Sequence, residues 1–356
     1  MSEEDIVRAL LHYLRSVSAR PALAYAEPPT LMTGGYDATI LRFSVQGAPE
    51  PFSGPLVLRL FHATVDTQRA PREAAVQNAL AEMGYLAPRV LVAESRAEPL
   101  GAPFLIMEHL PGRPLGSAFE GLRVKGLGQT FNILRRLPRI RRETVRLWDE
   151  AQTRLHALPV SDFVDRVERA GISGESFTFD AQFANMRVSA EELGLDQLRP
   201  AIEWLSLDPP SRPEAAVICH GDFHPLNILA DHGRLTGVID WMKAIIAEPA
   251  FDYAVVLAMF ATVPIRVPVG LHRAFRTLIN NLARTHSLSC GSSPESAARL
   301  RYYEIFNCVA RLVTLARNRA QGRTTHGLYN SPAGIANLIR HVHRLTGLNV
   351  SLPADI

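Results

Sequence analysis

The sequence predicts an α+β fold of two lobes, a β-rich N-lobe over residues 1–108 and a mostly helical C-lobe over residues 109–356. Segments of strand length alternate with turn residues up to position 108, whereas helical periodicity dominates after it. Between them lies the segment His109 to Pro114, in which two prolines and a glycine interrupt regular pairing. A chain of 356 residues is long enough for two such units.

The N-lobe is expected to begin with an amphipathic helix, because acidic residues at positions 3–5 precede apolar residues at helical spacing. A second helix is expected to open at Pro71, to carry Glu73 on its apolar face and to end before Gly84. Strands are expected at 40–45, 56–61, 89–93 and 104–108.

In the C-lobe, helices are expected at 144–158 and 193–207, and again from Phe251 to the end of the chain. A β-rich interruption divides them, and the turn at 231–234 joins its last two strands into a hairpin. The strands of this interruption are expected at 216–219, 227–230 and 235–240.

Composition is that of an ordinary globular protein, with 47% hydrophobic and 21% charged residues. No segment approaches the roughly 20 uncharged apolar residues that span a bilayer, which argues against a transmembrane protein. The acidic N-terminus is not typical of a signal peptide. The three cysteines suggest neither a disulfide framework nor a zinc knuckle, so we expect a reducing, cytoplasmic location.

Positive charge is concentrated in the C-terminal third. From residue 253 onward twelve arginines face three acidic residues, a net of +9, and because the whole chain carries +3 the remainder carries −6. A second basic stretch, 123–146, has five arginines between positions 135 and 142. Solvated helix faces would explain the first stretch, and a mobile surface insertion would explain the second. The alternatives are attraction to an anionic partner or substrate for the first, and peripheral contact with an anionic lipid surface or with a phosphate-bearing substrate for the second. We expect no nucleic-acid partner, because no recognition motif accompanies the arginines.

Polar residues that could carry chemistry follow the strand at 216–219. The loop from His220 to Asn227 contains Asp222, and the hairpin then reverses the chain so that the last strand ends at Asp240. Two carboxylates and one amide can therefore converge on one point. That set suits phosphoryl transfer, in which Asp222 accepts the proton of an attacking hydroxyl. Asn227 and Asp240 would hold Mg²⁺, a hard cation that prefers oxygen ligands.

This region closely resembles the aminoglycoside phosphotransferase and choline kinase family, whose members are related in fold to the protein kinases. The family's HGDxxxxN motif stands here as His220-Gly221-Asp222 through Asn227, and its Asp-Trp pair stands as Asp240-Trp241. The resemblance extends to about residue 260 and implies a protein-kinase-like bilobal fold. It also implies a small-molecule kinase that transfers the γ-phosphoryl group of ATP, or of GTP, to a hydroxyl of a small acceptor.

The same resemblance assigns the nucleotide to the N-lobe and the connector. The family's glycine turn over the phosphates looks like Gly34-Gly35, its strand cation looks like Arg59, and the glutamate that pairs with this cation looks like Glu73. The connector between the lobes looks like residues 107–112, so the backbone from Glu108 to Leu110 is expected to hydrogen-bond the base.

Other residues of the C-lobe receive positioning roles from the resemblance. His156 resembles the histidine of a Leu-His pair that recurs at the end of a C-lobe helix, and Asp252 matches an acid that braces the site. His220 belongs to the catalytic set, where we expect it to orient the loop through hydrogen bonds and not to act as a base.

The acceptor is the part of the function that the sequence indicates least directly. Aminoglycosides are polycations that need a cluster of carboxylates, and the candidates Glu248, Glu295 and Glu304 are too few. Lys243, close to Asp240, also disfavours a polycation. We therefore expect a neutral or anionic hydroxyl compound, such as a macrolide, a sugar or a lipid-like alcohol.

Several alternatives stay open. The glycine turn also suits an ordinary loop, and Arg59 with Glu73 also suits a structural ion pair. His220, Asp222 and His224 alternate as the ligands of a transition metal could, which would suit a metal-dependent hydrolase. The remaining candidates are a nucleotide-binding pseudokinase that acts as a regulatory scaffold and an aminoglycoside phosphotransferase proper.

Overall fold

The chain has an α+β fold of two lobes, in which a five-stranded sheet with flanking helices precedes a mostly helical region. The computed structural model describes residues 2–32, 38–62, 67–117, 127–210, 214–264, 272–291, 293–322 and 328–353. The strands are β1 (Ala24–Tyr25), β2 (Thr30–Leu31), β3 (Ala38–Phe43), β4 (Val45–Gln46), β5 (Leu56–Phe61), β6 (Val90–Glu94), β7 (Phe104–Glu108), β8 (Arg113–Pro114), β9 (Val217–Cys219), β10 (Ile228–Asp231), β11 (Arg234–Val238) and β12 (Ile245–Ala247). The α-helices are α1 (Glu3–Val17), α2 (Arg69–Glu82), α3 (Leu127–His156), α4 (Val160–Arg169), α5 (Phe179–Glu192), α6 (Arg199–Leu207), α7 (Ala250–Thr262), α8 (His272–Ser287), α9 (Pro294–Ala320) and α10 (Pro332–Thr346).

The first sheet is antiparallel, with the strand order β2-β3-β5-β7-β6. Its central strand β5 is covered on both sides, so its residues are almost all buried. Because successive side chains of a strand point to opposite faces, Leu58 packs with Leu10 and Leu14 of α1. Arg59 lies on the opposite face, where Phe61 packs with residues of α2. The sequence of β5 therefore places one charged side chain between the sheet and a helix.

The predicted elements of the N-lobe agree with the structure to within two residues. β5 and β7 have the predicted bounds, whereas β3 begins and ends two residues before its predicted strand. α2 begins two residues before Pro71 and buries Glu73 on its inner face. Gly84 follows this helix with φ of +80°, the left-handed conformation that glycine adopts without strain.

The segment after β7 interrupts the sheet as predicted, but Arg113 and Pro114 form the short strand β8, which the sequence pattern does not predict. β8 pairs with β10 at the edge of a three-stranded sheet. Proline is tolerated there because an edge strand has an N–H position that needs no partner. Gly112 permits the approach: its φ is +100°, and a Cβ there would lie 2.7 Å from the carbonyl oxygen of Ala230.

A hairpin and a second strand pair place the loops of the C-lobe. β10 and β11 are antiparallel and pair Ile228 with Val238, and His232 and Gly233 between them have positive φ, as a tight hairpin turn requires. β9 pairs with β12, with Cys219 opposite Ile245. The predicted strand at 235–240 ends two residues early, at Val238, so Asp240 lies in the loop beyond β11.

Two helix predictions in the C-lobe have wrong bounds. The predicted helix 144–158 is the C-terminal half of α3, which begins at Leu127 and contains Pro138. The predicted helix 193–207 starts six residues too early, because residues 193–198 connect α5 to α6 through Gly194 (φ +61°) and the 3-10 turn Asp196–Leu198. α6 begins only at Arg199, with Pro200 in its first turn.

The core of the C-lobe lies between α7, α9 and the strands that carry the loops. α7 is buried along nearly its whole length, and α9 packs on it through Phe306, Val309 and Val313. Cys219 and Cys308 are free thiols in this core. Within the described ranges, each helix is either too short or too polar to cross a bilayer.

Candidate active site

The loop from His220 to Asn227 leaves the end of β9 and enters β10. Its second residue must be glycine: Gly221 has φ of +76°, and a Cβ there would lie 2.1 Å from the carbonyl oxygen of Lys243. Two short-range bonds turn the loop, from the N–H of His224 to the carbonyl of Asp222 and from the N–H of Asn227 to the carbonyl of His224, each 2.9 Å. The backbone thus presents Asp222 and Asn227 from one tight turn.

His220 is fully buried and orients the loop. Its Nδ1 accepts a hydrogen bond from the backbone N–H of Asp222 at 3.2 Å, so Nε2 carries the proton that it donates to the carbonyl of Ile239 at 3.0 Å. Burial lowers the pKa of His220, which keeps the ring neutral. Because both ring nitrogens are occupied, His220 links this loop to the residue before Asp240 and offers no nitrogen to a transition metal.

Asp252, in the first turn of α7, bonds the backbone at the start of the same loop. Its two carboxylate oxygens accept hydrogen bonds from the backbone N–H groups of His220 (3.0 Å) and Gly221 (2.8 Å), and His156 Nε2 lies 3.1 Å away. The predicted bracing residues therefore converge on the loop. Cys219 lies beside His156 and Asp252, and burial raises the pKa of its thiol well above the usual value.

Asp222 is the carboxylate of the loop and is half-buried. Its side chain is 17% exposed, Lys243 Nζ lies 2.7 Å from its Oδ2, and His224 Nε2 lies 3.7 Å from its Oδ1. Burial alone would raise the pKa of Asp222, but positive charge, that of Lys243 foremost, holds it well below the usual range. Asp222 is therefore ionised at neutral pH and can accept a hydrogen bond from a hydroxyl.

Asn227 and Asp240 are neighbours across the hairpin. The N–H of Ile239 donates to the carbonyl of Asn227 at 2.9 Å, next to the paired residues Ile228 and Val238. Asn227 Nδ2 donates to the backbone carbonyl of Asp222 at 3.0 Å, which leaves the side-chain oxygen of Asn227 as an acceptor. Asp240 is in the left-handed conformation, with φ of +68°, and its side chain is 41% exposed.

The oxygen atoms of Asn227 and Asp240 are suitable ligands for a magnesium ion. An amide oxygen and a carboxylate are hard oxygen ligands, and few protein ligands are usual for Mg²⁺ when phosphate oxygens and water complete its octahedron. The conformation of Asp240 is uncommon for a residue other than glycine and is of the strained kind that clusters at functional sites.

Arg59 connects the first sheet to this loop. Its Nη1 lies 2.5 Å from Glu73 Oε1 and its Nη2 lies 3.3 Å from Asp240 Oδ1. Gln77, one turn further along α2, donates to the same oxygen of Glu73 at 3.1 Å. Arg59 and Glu73 are both buried. The ion pair that the sequence predicts therefore extends to Asp240, and all three groups belong to one site.

The connector has part of its backbone already bonded. The N–H of Glu108 donates to the carbonyl of Arg89 at 3.0 Å, and the N–H of His109 donates to the carbonyl of Pro55 at 3.0 Å. Leu110 lies over β11, where a Cβ on Gly237 would come within 2.5 Å of its Cδ1. The glycine turn Gly34-Gly35 lies outside the described residues.

Sequence reasoning missed three features of the site. It noted Lys243 as a nearby cation but not that the lysine bonds Asp222, a contact made by the 3-10 turn Trp241–Lys243 that folds back from Asp240. It did not find Arg311, whose charge also lowers the pKa of Asp222, or Tyr329, whose ring lies 4.1 Å from the Arg311 guanidinium. Only the excess of arginine in the C-terminal third could have suggested Arg311.

Comparison with known proteins places this site in a family. The profile of the phosphotransferase enzyme family matches residues 34–288. Acyl-CoA dehydrogenase family member 11 of Homo sapiens is 26% identical over 186 residues, which are 51% of this chain and 22% of that protein. Hygromycin-B 4-O-kinase of Escherichia coli is 37% identical over 54 residues, 15% of this chain and 16% of that protein. The chain spans less than a quarter of the length of these curated relatives.

Solved structures share the fold over nearly the whole chain. A thermostable mutant of the aminoglycoside phosphotransferase APH(4)-Ia in its apo form has a TM-score of 0.61 at 16% identity, with 96% of this chain and 100% of that one covered. A macrolide 2'-phosphotransferase of Brachybacterium faecium has a TM-score of 0.53 at 18% identity, with 95% and 99% covered. The predicted protein-kinase-like bilobal fold is confirmed. Since the family profile covers most of its residues, the chain belongs to the phosphotransferase enzyme family.

Proposed function

We propose that the chain is a small-molecule kinase, which transfers the γ-phosphoryl group of ATP or GTP to a hydroxyl of a small acceptor. The observation that carries this proposal is that the loop and the hairpin bring Asp222, Asn227 and Asp240 together, with Arg59 joined to the last of them. Family membership supports the reaction class, because phosphotransferases share this chemistry.

Asp222 is the proposed catalytic base. The acceptor hydroxyl would donate a hydrogen bond to its carboxylate, and the hydroxyl proton would pass to Asp222 as the new oxygen–phosphorus bond forms. The bond between the γ-phosphorus and the β–γ bridging oxygen breaks, and the electron pair leaves with the nucleoside diphosphate. A low pKa does not prevent this role, because in a loose transition state the carboxylate orients the hydroxyl first and takes the proton late.

Asn227 and Asp240 are the proposed metal ligands. When bound, Mg²⁺ would neutralise charge on the nucleotide phosphates. The amide of Asn227 is fixed by its bond to the carbonyl of Asp222, and one oxygen of Asp240 faces Arg59. These contacts orient both side chains before the nucleotide arrives.

The proposed nucleotide site lies between the N-lobe, residues 1–108, and the C-lobe, residues 109–356. Arg59 is buried beside Glu73 and Asp240, so its guanidinium is preorganised for a phosphate oxygen. Gly34-Gly35 would cover the phosphates, and the backbone from Glu108 to Leu110 would bond the base. In support, variants of APH(4)-Ia have been solved in ternary complexes with ADP or AMP-PNP and hygromycin B.

The acceptor is proposed to be neutral or anionic. Lys243 on Asp222 supports this choice, because a polycation would meet a positive charge at the hydroxyl-binding carboxylate. The macrolide phosphotransferases that share the fold are a precedent for an acceptor outside the aminoglycosides. An aminoglycoside phosphotransferase proper is the less favoured alternative.

A catalytically inactive pseudokinase is disfavoured because the base and both metal ligands are present and close together. The proposed enzyme would work in the cytoplasm, where nucleotide and magnesium are supplied. Contact of the basic segment 123–146 with anionic lipid stays a prediction. Two of its arginines already bond within the chain, Arg141 to Thr285 Oγ1 at 2.5 Å and Arg146 to the carbonyl of Gly233 at 3.0 Å.

A phosphate-transfer screen tests the proposed function. Purified protein with ATP or GTP and Mg²⁺ is offered macrolides, aminoglycosides, sugars, amino alcohols, lipid alcohols and hydroxy acids, with Asp222→Ala as the control. Transfer by the native chain and its loss in the variant are the expected results. Nucleotide binding with no transfer to any class would favour the pseudokinase, and stoichiometric zinc or iron in the purified protein would favour a metal-dependent hydrolase.

A further inference from the structure

We propose that the acceptor is an anionic hydroxyl compound, and that Lys243 binds its carboxylate or phosphate group beside the hydroxyl that reacts. This inference rests on the proposed function and narrows its acceptor from neutral or anionic compounds to anionic ones. Two observations carry it: the ion pair between Lys243 and Asp222, and the pairing of the acidic side chains that a polycation would need.

Lys243 lies where the acceptor must bind. Its Nζ is 2.7 Å from Oδ2 of Asp222, and its side chain is 43% exposed, so a solute can reach the ammonium beside the carboxylate. A hydroxyl that donates to Asp222 places its oxygen within about 3 Å of this carboxylate. The atoms next to that hydroxyl therefore come within reach of Lys243, which has a flexible four-carbon stem.

Arg311 adds a second positive charge close to Asp222. Its guanidinium lies 4.1 Å from the ring centroid of Tyr329, and the hydroxyl of Tyr329 donates to the carbonyl of Met259 in α7 at 2.9 Å. The cation is thus held by a packed ring and not by a carboxylate in this contact. Against the effect of burial, its charge joins that of Lys243 in lowering the pKa of Asp222.

Two carboxylates that could receive a cationic acceptor are already paired. Arg299 Nε lies 3.0 Å from Glu248 Oε2, and Nε2 of His341 hydrogen-bonds Glu304. Both glutamates are buried. A cationic acceptor would therefore approach Lys243 and Arg311 without these carboxylates to compensate it, whereas an anionic acceptor gains a charge-assisted hydrogen bond.

An anionic acceptor would also free the base. In the structure Lys243 occupies Oδ2 of Asp222. When its ammonium turns to the anionic group of the acceptor, it exchanges one oxygen anion for another, and Oδ2 becomes available to the hydroxyl. Binding of an anionic acceptor would then also release Asp222 from Lys243. A neutral alcohol would release Asp222 less, because it offers the ammonium no negative charge.

Matched acceptors test the charge class. A hydroxy acid, its primary amide and the amino alcohol of the same chain length are compared over a range of lengths, together with sugar phosphates and their parent sugars, by kcat/KM for phosphate transfer. For native protein we expect the anionic member of its preferred series to exceed its neutral partner by about 10- to 100-fold, the usual worth of a hydrogen bond to a charged group. The carboxylate and phosphate arms identify which anion is used.

Substitutions of Lys243 test the residue. Lys243→Met should raise KM for the anionic member until it matches the neutral one, Lys243→Glu should reverse the preference, and Lys243→Arg should keep it. Arg199→Met, which removes an exposed arginine of α6, should leave the preference unchanged. Equal or faster transfer to the amino alcohol would overturn the anionic class while the phosphotransferase function stands. Transfer to none of these compounds, with transfer to a macrolide or a lipid alcohol in the wider screen, would likewise overturn the anionic class alone. Transfer to no compound of either set would overturn the proposed function as well.

Discussion

The guanidinium of Arg59 reaches from the central strand of the first sheet to Asp240 in the loop beyond β11, with Nη2 3.3 Å from Oδ1. The same side chain is paired with Glu73 of α2. One buried cation therefore joins a sheet strand, a helix and a proposed metal ligand, although these groups are far apart in sequence. The same contact links the two lobes and holds the carboxylate of Asp240.

Replacement of Arg59 by Met should destabilise the protein by about 3–5 kcal/mol, because it removes the arginine whose charge balances the buried carboxylate of Glu73. Urea unfolding measures the change. Arg96→Met is the matched control, since it removes an arginine that pairs with Glu94 at the surface, and it should cost less than about 1 kcal/mol. Equal costs for the two variants would show that burial of the pair is not what matters.

Replacement of Asp222 by Ala should lower kcat by about 10²–10⁴-fold, the usual contribution of a positioned base. Nucleotide binding should change little, because Asp222 contacts Lys243 and the loop but neither Arg59 nor Glu73 in the described residues. Steady-state kinetics and calorimetric titration with a non-hydrolysable nucleotide separate the two effects. A variant that keeps the native kcat would remove Asp222 from the mechanism.

Replacement of Asp240 by Asn should abolish most of the increase in nucleotide affinity that Mg²⁺ produces, because it removes the charged one of the two proposed ligands. Calorimetry with and without Mg²⁺ measures this increase directly. Asp231→Asn, at the exposed end of β10, serves as the control and should leave it intact. A full magnesium effect in the Asp240 variant would assign the metal to other residues.

Replacement of Asp252 by Asn should cost about 2–3 kcal/mol in unfolding free energy, because an amide nitrogen cannot accept the bond that one of the two backbone N–H groups donates. It should also lower kcat more than it raises KM for the nucleotide, since it loosens the loop that carries Asp222. Asp162→Asn on α4 should show neither effect, because that carboxylate is exposed. A pure stability loss at native kcat would confine Asp252 to a structural role.

The acid limb of the pH–rate profile should move to higher pH in Lys243→Met. Burial raises the pKa of Asp222 and the charge of Lys243 is the first of the effects that lower it, so removal of that charge lets the pKa rise toward or above its usual value. The native enzyme should keep its ionised base at a pH where the variant has begun to lose it. Lys243→Arg should restore the native limb. Coincident profiles of the native and Met forms would show that the lysine charge does not set the pKa of Asp222.

The positions of strands and helices could be predicted from the sequence where the hydrophobic pattern of neighbouring residues determines them. The apolar run Leu56 to Phe61 and the helical pattern between Pro71 and Gly84 predicted the N-lobe elements to within two residues. The errors arose where distant residues decide: β8 exists because β10 offers it a partner, and α3 extends back to Leu127 through Pro138. An internal proline usually marks a helix end, so a single-sequence pattern favours the shorter helix.

The sequence by itself determined which chemical groups the candidate site contains. The spacing around a hairpin leaves few ways to arrange the groups of His220, Asp222, Asn227 and Asp240. The same motif determined the family. Only the tertiary structure decided how these groups are held and charged: that Asp252 bonds the loop backbone, and that Lys243 lies on Asp222. Spacing along a chain fixes which groups a turn can present. Distances between side chains, and hence hydrogen bonds and pKa directions, depend on how separate elements pack in three dimensions.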